Sequence, residues 1–241
     1  MDDIKNSKIG IFAVTPEGAS RAFRDLSLAC YRTFGDYINP EIILHMQNME
    51  DHVKNFGQKD RWTILVQDGI NVLLESGCDI IWMPANSSHL VAGDIDFGGA
   101  RFVNMVDNAT AYLRQDKRKK LLLGTDMSIS DKLYLKDKNV CAHCVIPDEA
   151  QRQEITNIVI KELILGKISK ASRQYILNLV KDYAENEAVE EVFFACTELP
   201  CFFTADDFPV TVNDSISVSI VHLMEEIKAY ETHTKTLRKA V

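Results

Sequence analysis

The chain has 241 residues, 46% of them hydrophobic and 26% charged, and a formal net charge of −8. These are the proportions of a globular protein that can bury a sizeable core as one large or two small domains. The acidic balance argues against nucleic acid as a partner, because no basic face is expected to neutralise phosphates, and the densest basic stretch, residues 114–120, reads as a solvated helix end.

Short apolar runs alternate with longer amphipathic segments, the pattern of parallel α/β units. The first residues, Met1-Asp2-Asp3-Ile4-Lys5-Asn6, lack the apolar core of a signal peptide, and no run is long enough to span a bilayer. The protein is therefore expected in the cytoplasm, without a membrane partner. A strand over 8–14 opens the chain, followed by a helix over 18–33 and a strand over 41–46. A helix over 61–76 puts Trp62, Leu65, Val66, Ile70, Leu73 and Leu74 on one core stripe, with Gly77 as its C-cap. A strand over 79–83, a helix over 102–115, a strand over 120–124 and a helix over 131–136 come next. A strand over 140–145, helices over 148–165 and 169–186, strands over 192–196 and near 209–212, and a last helix from 215 to 230 or beyond complete the reading.

The six cysteines are expected to be reduced in the cytoplasm. Cys141 and Cys144 form a C-x-x-C within an expected strand. Alternation sets them on opposite faces, a poor arrangement for chelation or a disulfide, and no second C-x-x-C completes a zinc site. They read as packing residues, as do Cys30 and Cys78, and no metal is expected. Cys201 is close enough to Cys196 to line the same pocket, although packing is the plainer reading.

Two segments carry the chemistry: Met83-Pro84-Ala85-Asn86-Ser87-Ser88-His89 and Phe194-Ala195-Cys196-Thr197-Glu198-Leu199-Pro200. Each follows an apolar run that reads as a buried strand, each leads into a helix start, and helix–strand–motif recurs in both halves as a weak internal echo. On these residues the sequence resembles the aspartate/glutamate racemase superfamily, which carries P-C-N-T-A-H in its first half and G-C-T-E-L-P in its second. Leu122-Leu123-Gly124-Thr125-Asp126-Met127-Ser128 with Tyr134, and Phe208-Pro209-Val210 with Asn213-Asp214-Ser215, are similar to further family segments. The resemblance covers nearly the whole chain, specific at A-N-S-S-H, C-T-E-L-P and L-L-G-T and diffuse elsewhere. It implies two pseudo-symmetric α/β domains, residues 1–105 plus 210–241 and residues 106–209, each a short, mostly parallel sheet flanked by helices. The active site is then expected in the cleft between them, beyond the carboxyl ends of the strands.

A racemase without cofactor needs an acid/base group on each face of the α-carbon. The resemblance makes Cys196 one of them, at a strand-to-helix turn whose free N–H groups favour a thiolate. Ala85 stands where the family has its other thiol, and a methyl group exchanges no proton. An introduced substitution, a natural variant and a loss of catalysis all remain open at this position. The resemblance further implies that Asn86, Ser87, Thr125, Ser128 and Thr197 bind the substrate, with Lys167 holding a side-chain carboxylate. Glu198 is expected to orient its turn, His89 to cap or pack, and Asp214 to cap the final helix.

Two departures matter. The family's glycine-rich first turn is replaced by Phe12-Ala13-Val14-Thr15-Pro16-Glu17-Gly18, and the loop between Met46 and Arg61 is short. Arg61, His45, His52 and Lys54 are the candidates for the family's carboxylate-clamping arginine, and Arg61 sits too near the following helix to align well, which argues against an acidic substrate side chain. The expected activity is a pyridoxal-phosphate-independent and metal-independent amino-acid racemase using Cys196, impaired or altered by Ala85, with no cofactor and a small amino-acid or carboxylic-acid substrate; a homodimer is compatible with it. The alternatives are a one-thiol decarboxylase or isomerase of small carboxylic acids and a catalytically silent amino-acid-binding protein.

Overall fold

The computed structural model describes residues 7–55, 57–129 and 133–239. The first half runs β1 (Lys8–Ala13), α1 (Pro16–Phe34), β2 (Glu41–Met46), α2 (Met49–Lys54), α3 (Lys59–Glu75), β3 (Ile80–Trp82), β4 (Arg101–Val103) and α4 (Met105–Gln115). The second runs β5 (Lys120–Leu123), α5 (Lys138–Cys141), β6 (Cys144–Val145), α6 (Glu149–Lys161), α7 (Lys170–Glu187), β7 (Glu191–Phe194), α8 (Leu199–Phe202), β8 (Thr211–Asp214) and α9 (Ser215–Lys239).

The strands form two four-stranded sheets, ordered β2-β1-β3-β4 and β6-β5-β7-β8, and every pairing is parallel. Each sheet thus places its second strand beside its first, then its third and fourth, and this shared order is the structural counterpart of the internal echo in the sequence. Helices cover both faces, so the central strands are apolar on both sides. On β1, Ile11 packs with α1 and α9 while its neighbour Phe12 packs with α3. On β7, Phe194 packs with α6 and α7 while Phe193 packs with α4. The period of two thus feeds a separate core on each face.

Four expectations change. The helix expected over 102–115 is preceded by a strand, β4, because Asn104 accepts from the N–H groups of Val106 and Asp107 and starts α4 at Met105. The strand expected over 140–145 shrinks to β6. Asp137 caps a short helix at Asn139, so Cys141 lies in α5 and Cys144 in the strand, and the strand-face argument does not apply to them. The long helix over 148–165 begins with a capping box of Asp148 and Gln151 but stops at Lys161. A 3-10 turn, Leu163–Leu165, then ends at Gly166 in the left-handed region with φ 70°.

Fourth, the late strand, β8, pairs with β7, so residues 211–214 belong to the second sheet and not to the first. The chain returns only with α9, whose Ile216, Ile220 and Leu223 enter the core of the first sheet. Asp214 starts that helix as expected, accepting from Ser217 N at 3.0 Å, and also holds Arg21 of α1 through two hydrogen bonds of 2.8 and 2.9 Å. The beginning of the expected helix over 131–136 lies outside the described residues; its end is the 3-10 turn Tyr134–Lys136. Among the described residues, no helix is long and apolar enough to cross a membrane.

Candidate active site

Open parallel sheets bind ligands beyond the carboxyl ends of their strands, where neighbouring connections leave in opposite directions. Here those points lie between β1 and β3 and between β5 and β7, and the loops leaving all four strands meet. Val14 and Thr15 follow β1, Ala85, Asn86 and Ser87 follow β3, Thr125 and Ser128 follow β5, and Cys196, Thr197 and Glu198 follow β7; all line one pocket. Met49, His52 and Val53 around α2, Trp62 of α3, Val159 and Ile160 of α6 and Ile164 complete its wall, and its cavity volume is about 150 Å³. Two glycines make the convergence possible. A β-carbon at Gly124 would stand 2.6 Å from the backbone oxygen of Ala195, and one at Gly18 would stand 2.7 Å from Thr197 Oγ1.

Glu198 is the hub of the polar side. Its Oε1 accepts from Thr15 Oγ1 at 2.5 Å and from Thr197 Oγ1 at 2.8 Å, and its Oε2 accepts from Cys196 Sγ at 3.1 Å. Residues from both sheets are thereby tied to one carboxylate. The Cys196 thiol is held well above the usual cysteine range, first by burial, then by the charge of Glu198 and its hydrogen bond. Backbone N–H groups of Glu198 and Leu199 pull the other way and are outweighed. This corrects the expectation of a resting thiolate. Helix α8 is only four residues long, and desolvation beside a carboxylate dominates.

On the other side, Asn86 is committed within the protein. Its Nδ2 donates to Ser215 Oγ at 3.1 Å and its Oδ1 accepts from Tyr134 Oη at 2.5 Å. The segment after Ala85 is a 3-10 turn, Ser87–Leu90, in place of a full helix start. His89 serves that turn. Its Nε2 accepts from Met105 N at 3.2 Å, which leaves the hydrogen on Nδ1 to be donated to the oxygen of Ala85 at 3.0 Å. Burial lowers its pKa to about 4, so the imidazole is neutral near pH 7.

No protein-family model matches the sequence. The fold is similar to that of an aspartate racemase homologue from Pyrococcus horikoshii, with 25% identity over 92% of this chain and 99% of that one, at a TM-score of 0.68. It is also similar to Picrophilus torridus aspartate racemase, with 19% identity, 92% and 95% coverage and a TM-score of 0.75. A glutamate racemase from Francisella tularensis, solved with D-glutamate, matches at 11% identity, 94% and 83% coverage and a TM-score of 0.65. The chain carries the aspartate/glutamate racemase fold.

Within that racemase fold, the candidate catalytic and substrate-binding residues Ala85, Asn86, Ser87, Thr125, Ser128, Cys196 and Thr197 share the pocket, joined by Glu198 and by His52, one of the candidate cations. Lys167 does not line it. Gly166 ends the preceding turn and leaves Lys167 exposed, near Glu162. Arg61 is likewise exposed on α3 and outside the lining. Cys201 also lies outside, with its thiol directed at the backbone oxygens of Thr197 and Glu17. Thr197 does not cap α8, because its hydroxyl goes to Glu198. Sequence reasoning passed over Thr15, whose only signal was a hydroxyl just past an apolar strand. Trp62 was read purely as core, and it packs there while also walling the pocket.

Proposed function

We propose that this chain is a cofactor-independent isomerase of the amino-acid racemase type, in which Cys196 is the one thiol that exchanges a proton at the substrate's α-carbon. The reading rests on the Cys196–Glu198 contact, a thiol and a carboxylate 3.1 Å apart in a pocket that has no second thiol among its lining residues. Asn86, Ser87, Thr125, Ser128 and Thr197 surround the substrate's carboxylate with hydroxyls and backbone N–H groups, and Glu198 receives its ammonium group. Lys167 is left out of this set.

The order of events follows from charge. The substrate's ammonium beside Glu198 offsets the carboxylate that, after burial, helps keep Cys196 protonated, so ionising the thiol becomes easier as substrate arrives. The thiolate removes the α-hydrogen as a proton, and the bonding pair passes into the Cα–carboxylate system as an enolate. Return of that proton, or of a solvent-exchanged one, from Cys196 Sγ restores the amino acid on the same face. Ala85 offers no donor, so exchange with retention outruns inversion. The same reading keeps the enzyme in the cytoplasm, on a small-molecule substrate, without nucleic-acid or membrane partners.

The test is proton NMR of amino acids in heavy water with chiral chromatography alongside. The expected result is α-hydrogen exchange of one enantiomer with little inversion, abolished by Cys196→Ala. Exchange that survives Cys196→Ala removes the thiol from the chemistry. A second reading is favoured by the resting protonation of Cys196. A thiol held as an acid is poised to protonate a carbanion left by decarboxylation or isomerisation of a small carboxylic acid. Carbon dioxide release from 2-substituted malonic acids without amino-acid exchange selects that reading, and neither reaction points to a silent binder.

A further inference from the structure

We infer that the substrate of this pocket carries an apolar side chain and that the pocket rejects the side-chain carboxylate of aspartate or glutamate. The inference rests on the proposed function for the location of the site and goes beyond it in naming the substrate class. Three observations support it. The first is the apolar part of the lining, where Val14, Met49, Val53, Trp62, Val159 and Ile164 present hydrocarbon and aromatic surface. A cavity of about 150 Å³ is small, the size that a benzene-like group fills when its lining is apolar.

The second is the set of charges. Among the described residues no lysine or arginine lines the pocket, and the one carboxylate among them, Glu198, repels a second. The nearby cations are turned elsewhere. Arg21 is held by Asp214, Lys54 pairs with Glu50, Lys59 pairs with Asp94, and Arg61 and Lys167 are exposed outside the lining. A carboxylate pushed into such a wall would lose its water and gain no partner, which is the arrangement proteins avoid.

The third is His52, the one lining group among the described residues that could become a cation. It is buried, and its Nε2 lies 3.1 Å from Gln47 Oε1. With the hydrogen on Nε2 donated to that oxygen, Nδ1 is left as a lone pair without a partner among the described residues. The ring meets the edge of Phe12, and burial favours its neutral form. A neutral imidazole offers no positive charge to clamp a carboxylate.

The experiment uses the full chain and a panel of free amino acids: alanine, valine, leucine and phenylalanine against aspartate and glutamate. Calorimetric binding and α-hydrogen exchange in heavy water are read for each. The expected result is that the best apolar amino acid binds on the order of 10–100-fold tighter than either acidic one. Aspartate or glutamate binding as well as the best apolar amino acid would overturn the inference, and so would binding of none of the panel. Apolar binding without any exchange would sink the proposed chemistry and leave the substrate class standing. Val53 is half exposed at the pocket wall, so Val53→Arg adds a guanidinium without emptying the core. That variant is expected to narrow the preference by about tenfold in favour of aspartate or glutamate. An unchanged ratio would count against the missing cation as its cause.

Discussion

Replacing Glu198 with Gln isolates the charge that sets the state of Cys196. The side chain keeps its shape, and its amide oxygen can still accept from Thr15 and Thr197, so the ties between the two sheets persist. What changes is the group 3.1 Å from Cys196 Sγ. Two unit charges about 4 Å apart at an effective dielectric of about 20 repel by about 4 kcal/mol. The Thr15 and Thr197 hydroxyls already spread the carboxylate's charge and soften that repulsion, so the thiol's titration midpoint is expected to fall in Glu198→Gln. An amide N–H facing the thiolate acts in the same direction. The assay is thiolate absorbance and the rate of alkylation across pH, with Cys196→Ala subtracted to remove the other cysteines. A midpoint that stays put or rises in Glu198→Gln would show that burial alone holds the proton on Cys196. The link between ammonium binding and thiol ionisation would then be wrong.

Ala85→Cys should create inversion where the parent shows exchange with retention, raising the inversion rate by roughly 10²–10⁴-fold, read by chiral chromatography. Gly124→Ala forces a β-carbon to within 2.6 Å of a backbone oxygen that cannot move without its strand. It should cost about 1–3 kcal/mol in chemical denaturation, and a loss under 0.5 kcal/mol would contradict the close approach. For His89 the folded pKa, about 4, lies below its ordinary value of about 6.5, so the unfolded chain takes up the proton first on acidification. Its contribution is full above pH 6.5 and declines as pH falls toward 4, by up to about 3 kcal/mol. Denaturation at pH 7 and pH 5 should show about 2 kcal/mol of that loss in the parent and a flatter profile in His89→Gln.

The parts of the fold legible in the sequence were those where local and tertiary demands agree. The long amphipathic helices and the apolar central strands read directly, because burial on both faces writes an uninterrupted apolar run. What misled was short structure governed by one polar side chain. Asn104 and Asp137 each stop one element and start another within two residues, and their caps outweigh the apolar residues around them. Strand β4 has only three residues, too few for a period to emerge. The pocket's loop residues were legible from their motifs, and His52 stood among the candidate cations, while Met49, Val53 and Trp62 were not legible as pocket residues. They reach the pocket through the packing of α2 and α3, which no local pattern encodes.

The two sheets share a strand order but not a chemistry. After β3 the chain offers a methyl group at Ala85, an amide at Asn86 already committed to Ser215 and Tyr134, and a neutral histidine that fastens a turn. After β7 it offers a thiol and a carboxylate in direct contact, with hydroxyls from both sheets converging on that carboxylate. The thiol proton and the carboxylate it faces therefore lie on one side of the pocket, and the side supplied by β3 is spent on holding its own shape. A reaction that needs a proton donor on each face of a carbon is poorly served by this division, whereas one that gives and takes a proton on a single face is served by it. The apolar wall points the same way, because it shields the developing carbanion from solvent protons that would otherwise reach the face Ala85 leaves without a donor.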